Sequence, residues 1–406
     1  MNILKKKVAL VFGTRPEAIK MAPVWQELKK AKDKIETIVI VTGQHREMLD
    51  QVLKQFDIKP DYDLNVMRED QQLIQLAQRM MNKLELVLQE VNPDLILVQG
   101  DTTTTYLTSL IAFSAGIPLG HIEAGLRTGD FNRPYPEELN RWLTSTMASI
   151  HFAPTNTAKQ VIQKNHKKSE HLYLTGNTVV DALKIMMLKN RSVKQAKSYI
   201  LITAHRRESF GKPLEEICRA IKYLAEKYKQ YDFVFPVHLN PIVQKTVYKY
   251  LKGVSNIELL KPLEYIDFFE KMRNAYFILT DSGGVQEEAP ALGIPVLVMR
   301  EKTERPEAIL AGAIKLVGMN SSKIIMEASK LIEDKKYYGQ MSRAVSPYGD
   351  GKAAERILQA ILYFFGFSEK KPETFVPNKL KLQPIEIDFK IERTKQARAL
   401  YTMQVE

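Results

Sequence analysis

Short apolar runs rich in Val, Ile and Leu alternate along this chain with longer segments of helical amphipathic periodicity. The apolar runs predict strands at Val8–Phe12, Thr37–Thr42, Leu95–Val98, Leu119–Ile122, Ile150–Ala153, Tyr199–Thr203, Phe233–Val237, Ile257–Leu260, Phe277–Thr280 and Pro295–Met299. The amphipathic segments predict helices at Ala18–Lys30, Gln71–Gln89, Glu137–Met147, Leu214–Tyr228, Ile266–Arg273 and Val285–Leu292. Strands that alternate with helices build parallel sheets covered on both faces, so the pattern predicts a doubly wound α/β fold.

The alternation pauses after Gly176 and begins again at Tyr199, which predicts a hinge between two domains. A chain of 406 residues is also too long for one ordinary core. We therefore expect two Rossmann-like domains, residues 1–176 and 177–365, whose parallel sheets face each other across a cleft. Residues 366–406 form an extension to which the pattern gives no role.

Composition excludes several other classes of protein. The longest apolar runs, such as Ile294–Met299, are far shorter than the roughly 20 residues of a membrane-spanning helix. The basic start Lys5–Lys7 precedes only five apolar residues, too few for a signal peptide. The one cysteine, Cys218, excludes an intrachain disulfide and a cysteine-rich metal site, and the seven histidines lack zinc-ligand spacing. We expect a cytoplasmic protein with no bound metal and no membrane association.

The net charge of +12 raises the question of a polyanionic partner. The basic residues are dispersed, and the sequence has no RNA-binding motif with interleaved aromatic residues, so we expect no nucleic-acid partner. Two interpretations of the charge remain: a solvated basic surface, or an electrostatic funnel for a small anionic substrate.

The segment Asp281–Glu288 combines a strand end, two adjacent glycines and a helix start. Gly283 and Gly284 allow a phosphate to approach the backbone, where the N–H groups of a helix N-terminus bind anions. Ser282 adds a hydroxyl donor, and Glu288, about one turn into the helix, could accept ribose hydroxyls. The alternative is a plain strand-to-helix turn with a glutamate that complements the helix dipole.

Cationic side chains follow other predicted strands. Arg15 and Lys20 come after the first strand, in a segment that is neither a Walker loop nor a dinucleotide fingerprint, and Pro16 fits the first helical position. An arginine there can bind a diphosphate in a forked geometry. His205 follows the first strand of the second half, and Arg305 follows a later one. For each residue a structural or solvated surface role is the alternative.

Carboxylates follow strands of the first half. Asp101 is either a helix N-cap or a catalytic carboxylate. Glu123 lies between an apolar strand and a glycine turn, which places a carboxylate at the edge of the cleft. Glu137 and Glu138 begin a helix after Pro136, where the helix dipole by itself explains them. Cations from both halves and carboxylates from the first describe a site for a nucleotide diphosphate with a reacting group.

Six segments resemble, in one order, the non-hydrolysing UDP-N-acetylglucosamine 2-epimerases of bacteria and archaea. They are Gly13–Pro23, Gln99–Thr104, His121–Thr128, Pro136–Arg141, His205–Gly211 and Asp281–Pro290. The resemblance runs collinearly over residues 7–365. It implies the two-domain fold of the GT-B glycosyltransferases, a homodimer, and interconversion of UDP-GlcNAc and UDP-ManNAc.

The resemblance also implies roles at the matching positions. UDP would be held by Arg15, Lys20, His205, Ser282, Gly283, Gly284, Glu288 and Arg305, with Phe268 near the base. Protons would be transferred by Asp101, Glu123 and Glu137, with His205 also in the catalytic group. The implied reaction eliminates UDP to give 2-acetamidoglucal and adds it back on the other face, so it needs no cofactor. Its product would supply ManNAc for surface polysaccharides.

The chain departs from many bacterial relatives where they form a second, regulatory UDP-GlcNAc site, near Gln44 and His238. Glu47 and Asp70 stand where those relatives carry Gln and Arg, and Leu239 stands where Pro is usual. These two carboxylates add negative charge beside a diphosphate. We therefore expect that UDP-GlcNAc is not required as an activator of the reverse reaction.

Three other functions share parts of this pattern. A GT-B glycosyltransferase would share the UDP site. It would need an acceptor substrate, and it would not need three carboxylates around the donor sugar. A hydrolysing 2-epimerase would release free ManNAc and UDP, and a non-catalytic sugar-nucleotide sensor would not need the carboxylates. We also expect the domains to close on UDP, because Arg15 and the Ser282–Gly284 turn must meet one ligand.

Overall fold

The computed structural model describes residues 4–44, 46–68, 72–132, 134–165, 170–189, 199–303 and 305–377. Within these ranges the chain forms two parallel sheets, one of seven strands and one of six. This confirms the predicted α/β class with two Rossmann-like sheets.

The first half carries the seven-stranded sheet. Its strands are β1 Lys6–Phe12, β2 Ile35–Val41, β3 Tyr62–Asp63, β4 Leu95–Gln99, β5 Leu119–Ile122, β6 Ile150–Ala153 and β7 His171–Leu174. Its helices are α1 Arg15–Lys30, α2 Arg46–Gln55, α3 Leu73–Val91, α4 Thr103–Ser114, α5 Glu137–Met147, α6 Asn156–Asn165 and α7 Thr178–Lys189. The strand order is β3-β2-β1-β4-β5-β6-β7, so the connection from β3 to β4 crosses back over the sheet.

The second half carries the six-stranded sheet. Its strands are β8 Tyr199–Thr203, β9 Asp232–Pro236, β10 Ile257–Leu260, β11 Ile278–Thr280, β12 Val296–Val298 and β13 Ile314–Leu316. Its helices are α8 Lys212–Lys227, α9 Pro241–Leu251, α10 Tyr265–Asn274, α11 Gly283–Ala291, α12 Pro306–Leu310, α13 Ser321–Glu333, α14 Lys335–Ser342 and α15 Ala353–Phe364, with a 3-10 turn at Arg207–Ser209. The order is β10-β9-β8-β11-β12-β13, which repeats the crossover of the first sheet.

The predicted strands form close to their expected bounds, and most of them do so because their residues are apolar on both faces. In β1, for example, Val8–Phe12 are all buried. The strands that the pattern missed, β3, β7 and β13, all end a sheet. Most of their residues are only half-buried, so their sequences carry no continuous apolar run.

Helix α1 begins one residue earlier than the proline pattern predicts. Thr14 is the N-cap, so Arg15 is the first helical residue and Pro16 the second. The carboxylate of Glu17 accepts the backbone N–H groups of Gly13 and Thr14 at 3.0 and 2.7 Å. Two N–H groups at the helix start are thereby satisfied inside the protein.

The segment that follows β7 contacts the segment that precedes α15. The N–H of Asn177 donates to the carbonyl of Tyr348 at 2.6 Å, and the next helix, α7, packs on α1. Helix α15 then returns to the first half and packs on α1 and α7. Buried residues of α15, β1 and α1 belong to one apolar cluster that also contains β11 and α11 residues.

The start of the extension packs against the end of β7 and against α15. The N–H of Phe375 donates to the carbonyl of Leu174 at 2.8 Å, and its ring is buried beneath the guanidinium of Arg356. Over the described part of the chain, no helix combines the length and apolar character needed to cross a membrane.

Candidate active site

The two sheets bring their crossover points to the same region. The carboxyl ends of β1 and β4 are followed by Arg15 and Asp101, and those of β8 and β11 by His205 and Ser282. At a crossover the neighbouring loops leave the sheet in opposite directions, which opens a crevice for a ligand. The predicted site residues therefore come from strand ends that face a shared cleft.

A buried ionic cluster joins the halves. The Nζ atom of Lys20 contacts Oε2 of Glu123 and lies 3.2 Å from Oε2 of Glu287. Asn177 donates from Nδ2 to Glu123 at 3.1 Å and to Glu287 at 3.2 Å. Gln99 donates to Glu123 at 3.0 Å. The cluster holds Lys20, predicted as a diphosphate ligand, between two carboxylates.

Glu123 has an unusual backbone. Its φ is +66°, in the left-handed region that glutamate rarely adopts. Such a conformation costs about 1–3 kcal/mol and persists where the surroundings enforce it, often at a functional site. Burial, together with Glu287 and against Lys20, raises the pKa of Glu123. The fold therefore places at the end of β5 a buried carboxyl group whose pKa lies above the ordinary value for glutamate.

Asp101 is not a helix N-cap. Thr102 caps α4, accepting the N–H of Thr105 at 3.1 Å. The carboxylate of Asp101 instead pairs with Nη2 of Arg141 at 2.6 Å, and Asn140 donates to its backbone carbonyl at 2.9 Å. Of the two interpretations left open by the sequence, the structure excludes the cap.

The two glutamates that begin α5 differ in their surroundings. Glu138 is fully buried and accepts the N–H groups of Thr128 and Gly129 and a 3.0 Å bond from Arg141. Glu137 has a buried Oε2 with no hydrogen-bond partner among the described residues, and burial raises its pKa. Glu138 therefore has a structural role, whereas Glu137 has an oxygen available for a reacting group.

His205 is held at the end of β8 by Asp281. One oxygen of Asp281 accepts the N–H groups of His205 and Arg206, both at 2.8 Å, and the Ser209 hydroxyl at 3.0 Å. Its other oxygen lies 3.3 Å from Nδ1 of His205. Burial outweighs Asp281 and lowers the pKa of His205, so the ring is neutral near pH 7. Its face stacks on His238 at 5.7 Å.

The glycine turn begins α11, with Ser282 as the N-cap. A Cβ atom on Gly283 would lie 2.8 Å from Nη1 of Arg305, whereas one on Gly284 would lie 3.4 Å from Glu288. The bare backbone thus lets the guanidinium lie against the turn. Arg305 also donates from Nε to Glu287 at 2.7 Å.

The remaining residues predicted to hold UDP lie around Glu288. The Tyr265 hydroxyl lies 3.5 Å from its Oε2, and Arg15 of the first half is close enough to stabilise its charge. Burial, followed by Glu287, raises the pKa of Glu288 to about 7. Burial lowers the pKa of Arg15. Phe268 lies on α10, partly buried against the apolar core.

The predicted regulatory residues lie at two strand ends. Gln44 follows β2 and accepts a bond from the Thr104 hydroxyl at 3.1 Å, and His238 follows β9. Asp70 lies outside the described residues, as does the side chain of Glu47. The prediction about regulation therefore stays a prediction.

Sequence reasoning missed several residues that organise this site, namely Asn177, Asp281, Glu287, Arg141 and Tyr265. Asp281 and Glu287 lie inside a segment already singled out, and Asn177 lies at the predicted hinge. A search for polar residues within four positions of a glycine at a predicted strand end or hinge would have found all three. Arg141 ends the segment Pro136–Arg141, which was singled out without a role for the arginine, and no local signal marks Tyr265.

The chain is similar to proteins of one family. The family model described as UDP-N-acetylglucosamine 2-epimerase matches residues 26–362. The UDP-N-acetylglucosamine 2-epimerase of Bacillus subtilis is 47% identical over 382 residues, covering 91% of this chain and 99% of the relative.

Solved structures agree in fold. The S. aureus MnaA–UDP co-structure has a TM-score of 0.85 at 46% identity and covers 91% of this chain and 100% of that chain. The Neisseria meningitidis UDP-GlcNAc 2-epimerase bound to UDP-GlcNAc has a TM-score of 0.82 at 48% identity, covering 88% and 100%. The family model matches most of this chain, and the Bacillus subtilis relative matches it over nearly the full length of both proteins. This chain therefore belongs to the UDP-N-acetylglucosamine 2-epimerase family.

Proposed function

We propose that this chain interconverts UDP-GlcNAc and UDP-ManNAc by epimerisation at C2, without hydrolysis and without a redox cofactor. Family membership makes it an epimerase, which is an isomerase. One observation carries the finer proposal. Charged groups of the second half act on the proposed proton carriers: Glu287 and Arg305, beside the Ser282 turn, act on Glu123, and Arg206 acts on Glu137 together with Asp101.

The second half supplies the proposed UDP site. The N–H groups at Ser282–Gly284 and the guanidinium of Arg305 against them offer donors to a diphosphate. Arg15 adds a cation from the first half, and His205 lies at the neighbouring strand end. Glu288 accepts ribose hydroxyls in this assignment. Relatives with UDP and with UDP-GlcNAc bound support the choice of ligand.

The proposed chemistry begins with the leaving group. The C2 proton of the sugar is not acidic, since no carbonyl adjoins it. Departure of UDP gives C1 oxocarbenium character, and a carboxylate can then remove the C2 proton to give 2-acetamidoglucal. Cations at the diphosphate stabilise the departing charge. Addition of UDP, with protonation on the other face of C2, gives the epimer.

The buried carboxylates suit this proton transfer. A raised pKa makes Glu123 and Glu137 stronger bases than exposed glutamates and brings their pKa nearer to neutral pH. Asp101 is held by Arg141 beside them. Exclusion of water by a closed cleft protects the glucal from hydrolysis.

Incubation with UDP-GlcNAc alone, in D₂O, tests the proposal by NMR. UDP-ManNAc with deuterium at C2 is expected, without added nicotinamide. With ¹⁸O in the oxygen that bridges C1 and the β-phosphorus, the label should move into non-bridging positions, because free UDP rotates before it adds back. Free ManNAc would indicate a hydrolysing epimerase, and an absence of turnover would favour a transferase or a sensor. Retention of the C2 hydrogen would exclude elimination.

Amide variants test the carriers. Replacing Asp101, Glu123 or Glu137 by the matching amide removes a proton carrier with little change of shape. Each should lower kcat by about 10²-fold or more, while calorimetry shows little change in UDP affinity. Glu85 on α3 gives the control, because Glu85→Gln removes a solvent-exposed carboxylate.

Further parts of the proposal concern the whole molecule. We propose that residues 1–176 and 177–365 act as domains that close on UDP, that the chain forms a homodimer, and that its product supplies surface polysaccharide synthesis. X-ray scattering with and without UDP tests closure. If the protein without UDP is open and the two scattering profiles coincide, closure is contradicted.

Sedimentation tests whether the chain forms a homodimer. Conversion of pure UDP-ManNAc that stalls until UDP-GlcNAc is added would contradict the proposed absence of activation.

A further inference from the structure

Two carboxylates from different halves of the chain share the same two donors. Nζ of Lys20 and Nδ2 of Asn177 both meet Oε2 of Glu123 and Oε2 of Glu287. Glu123 follows β5 of the first sheet, and Glu287 lies on α11 of the second half. All four side chains are buried. The protonation of one carboxylate must therefore affect the other.

The second oxygens of the pair have different partners. Oε1 of Glu287 accepts the Nε–H of Arg305 at 2.7 Å. In the described part of the chain, no donor is within hydrogen-bond distance of Oε1 of Glu123. Glu287 is thus fixed at both oxygens, whereas Glu123 has one oxygen that can exchange a proton with another molecule.

The charged groups facing Glu123 come from three elements. Lys20 of α1 and Arg305 at the start of α12 are positive, and Glu287 of α11 is negative; Gln99 and Asn177 are neutral donors. Burial acts to raise the pKa of Glu287, but Arg305 and then Lys20 outweigh it and lower that pKa. Burial raises the pKa of Glu123. Environments that separate two carboxylates in this way assign one to stay charged and one to take up the proton.

We propose that Glu287 is a positioning residue for epimerisation, which acts through Lys20 and Asn177 to keep Glu123 as the carboxylate that exchanges the proton. The inference rests on the proposed function for what Glu123 does, but not for how the four side chains interact. Without the charge of Glu287, Lys20 would pair with Glu123 alone and make it a weaker base. Added negative charge at Asn177 would have the opposite effect.

Infrared difference spectroscopy of protein labelled with ¹³C-carboxyl glutamate measures the titration of Glu123 without substrate. Subtracting the spectrum of the same protein carrying Glu123→Gln isolates its band. In Glu287→Gln the midpoint should fall by about 1 pH unit, and in Asn177→Asp it should rise by about 1. The aspartate introduced at 177 carries no label and does not interfere. Circular dichroism checks that each variant is folded.

The buried Glu327 provides a matched control. It pairs with Lys315 at 2.8 Å in the second half, away from the cluster, so Glu327→Gln removes a comparable ion pair. The Glu123 midpoint should not move in this variant. An unchanged midpoint in folded Glu287→Gln, or shifts of the same sign in both cluster variants, would overturn the inference. If Glu287→Gln does not fold, a missing or downward shift in Asn177→Asp overturns it.

Activity gives a second and separate readout. Glu123 is deprotonated at the start of one direction of the reaction and protonated at the start of the other. The limb of the kcat–pH profile that reports the titration of Glu123 should move to lower pH in Glu287→Gln. This shift should occur for both directions of the reaction, with kcat reduced by at least 10-fold. If wild-type protein does not interconvert the two sugars, the proposed function fails while the infrared titration still decides the inference. If wild-type protein does interconvert the sugars and the limbs of the Glu287→Gln profile do not shift, the positioning role of Glu287 fails while the proposed function stands.

Discussion

Replacing Glu288 by glutamine should change how stability depends on pH. Glu288 lies on α11 with 9% of its surface exposed, and burial, followed by Glu287, raises its pKa from 4.5 to about 7. In the unfolded chain the same carboxyl titrates near its ordinary value. Between these values the folded protein holds a proton that the unfolded chain has released.

The sign and size of the effect follow from proton linkage. Because the folded-state pKa is raised, the folded state binds more protons, and the free energy of unfolding falls as pH rises from about 4.5 to 7. Each unit of pKa corresponds to about 1.36 kcal/mol. The two values for Glu288 therefore correspond to about 3 kcal/mol, fully present below pH 4.5 and lost above pH 7. Because glutamine does not titrate, Glu288→Gln removes this pH-dependent fall in the free energy of unfolding.

Urea unfolding followed by circular dichroism between pH 4.5 and 8.5 measures the difference. The free energy of unfolding of Glu288→Gln minus that of wild type should increase by about 3 kcal/mol across this range. Glu264→Gln is the control, since Glu264 is exposed just before α10, and its difference should stay flat. A constant difference for Glu288→Gln would refute the reasoning, because it would mean that Glu288 titrates alike in both states.

Two further predictions concern packing. Gly283→Ala places a Cβ atom 2.8 Å from the Arg305 guanidinium, so UDP affinity measured by calorimetry should fall about 10-fold or more, whereas Gly284→Ala, with a 3.4 Å approach to a flexible carboxylate, should change it much less. Equal losses would contradict this reading of the turn. Phe375→Ala removes a buried ring from beneath Arg356 and should lower the free energy of unfolding by about 3 kcal/mol in urea titrations; an unchanged value would show that the Phe375 ring does not stabilise the fold.

Local pattern determined the class of fold. Strands such as β1 are apolar on both faces, and helices such as α5 begin and end where the sequence predicts. The apolar run of a strand and the start and end signals of a helix are both set by residues that lie close together in the sequence. The edge strands β3 and β7 were missed because a sheet edge is half-solvated and needs no apolar run. The predicted parallel sheets were therefore enough to place the segments of the site at the carboxyl ends of the strands.

The partners of the site residues were decided by tertiary structure. The sequence left Asp101 between a helix cap and a catalytic carboxylate; in the structure Thr102 caps α4, and Asp101 pairs with Arg141, which comes from α5. Likewise Lys20 was predicted to bind diphosphate, but the fold places it between Glu123 and Glu287. Periodicity records which face of an element is buried. It cannot record which buried charges meet, because that depends on how the two halves of the chain pack against each other.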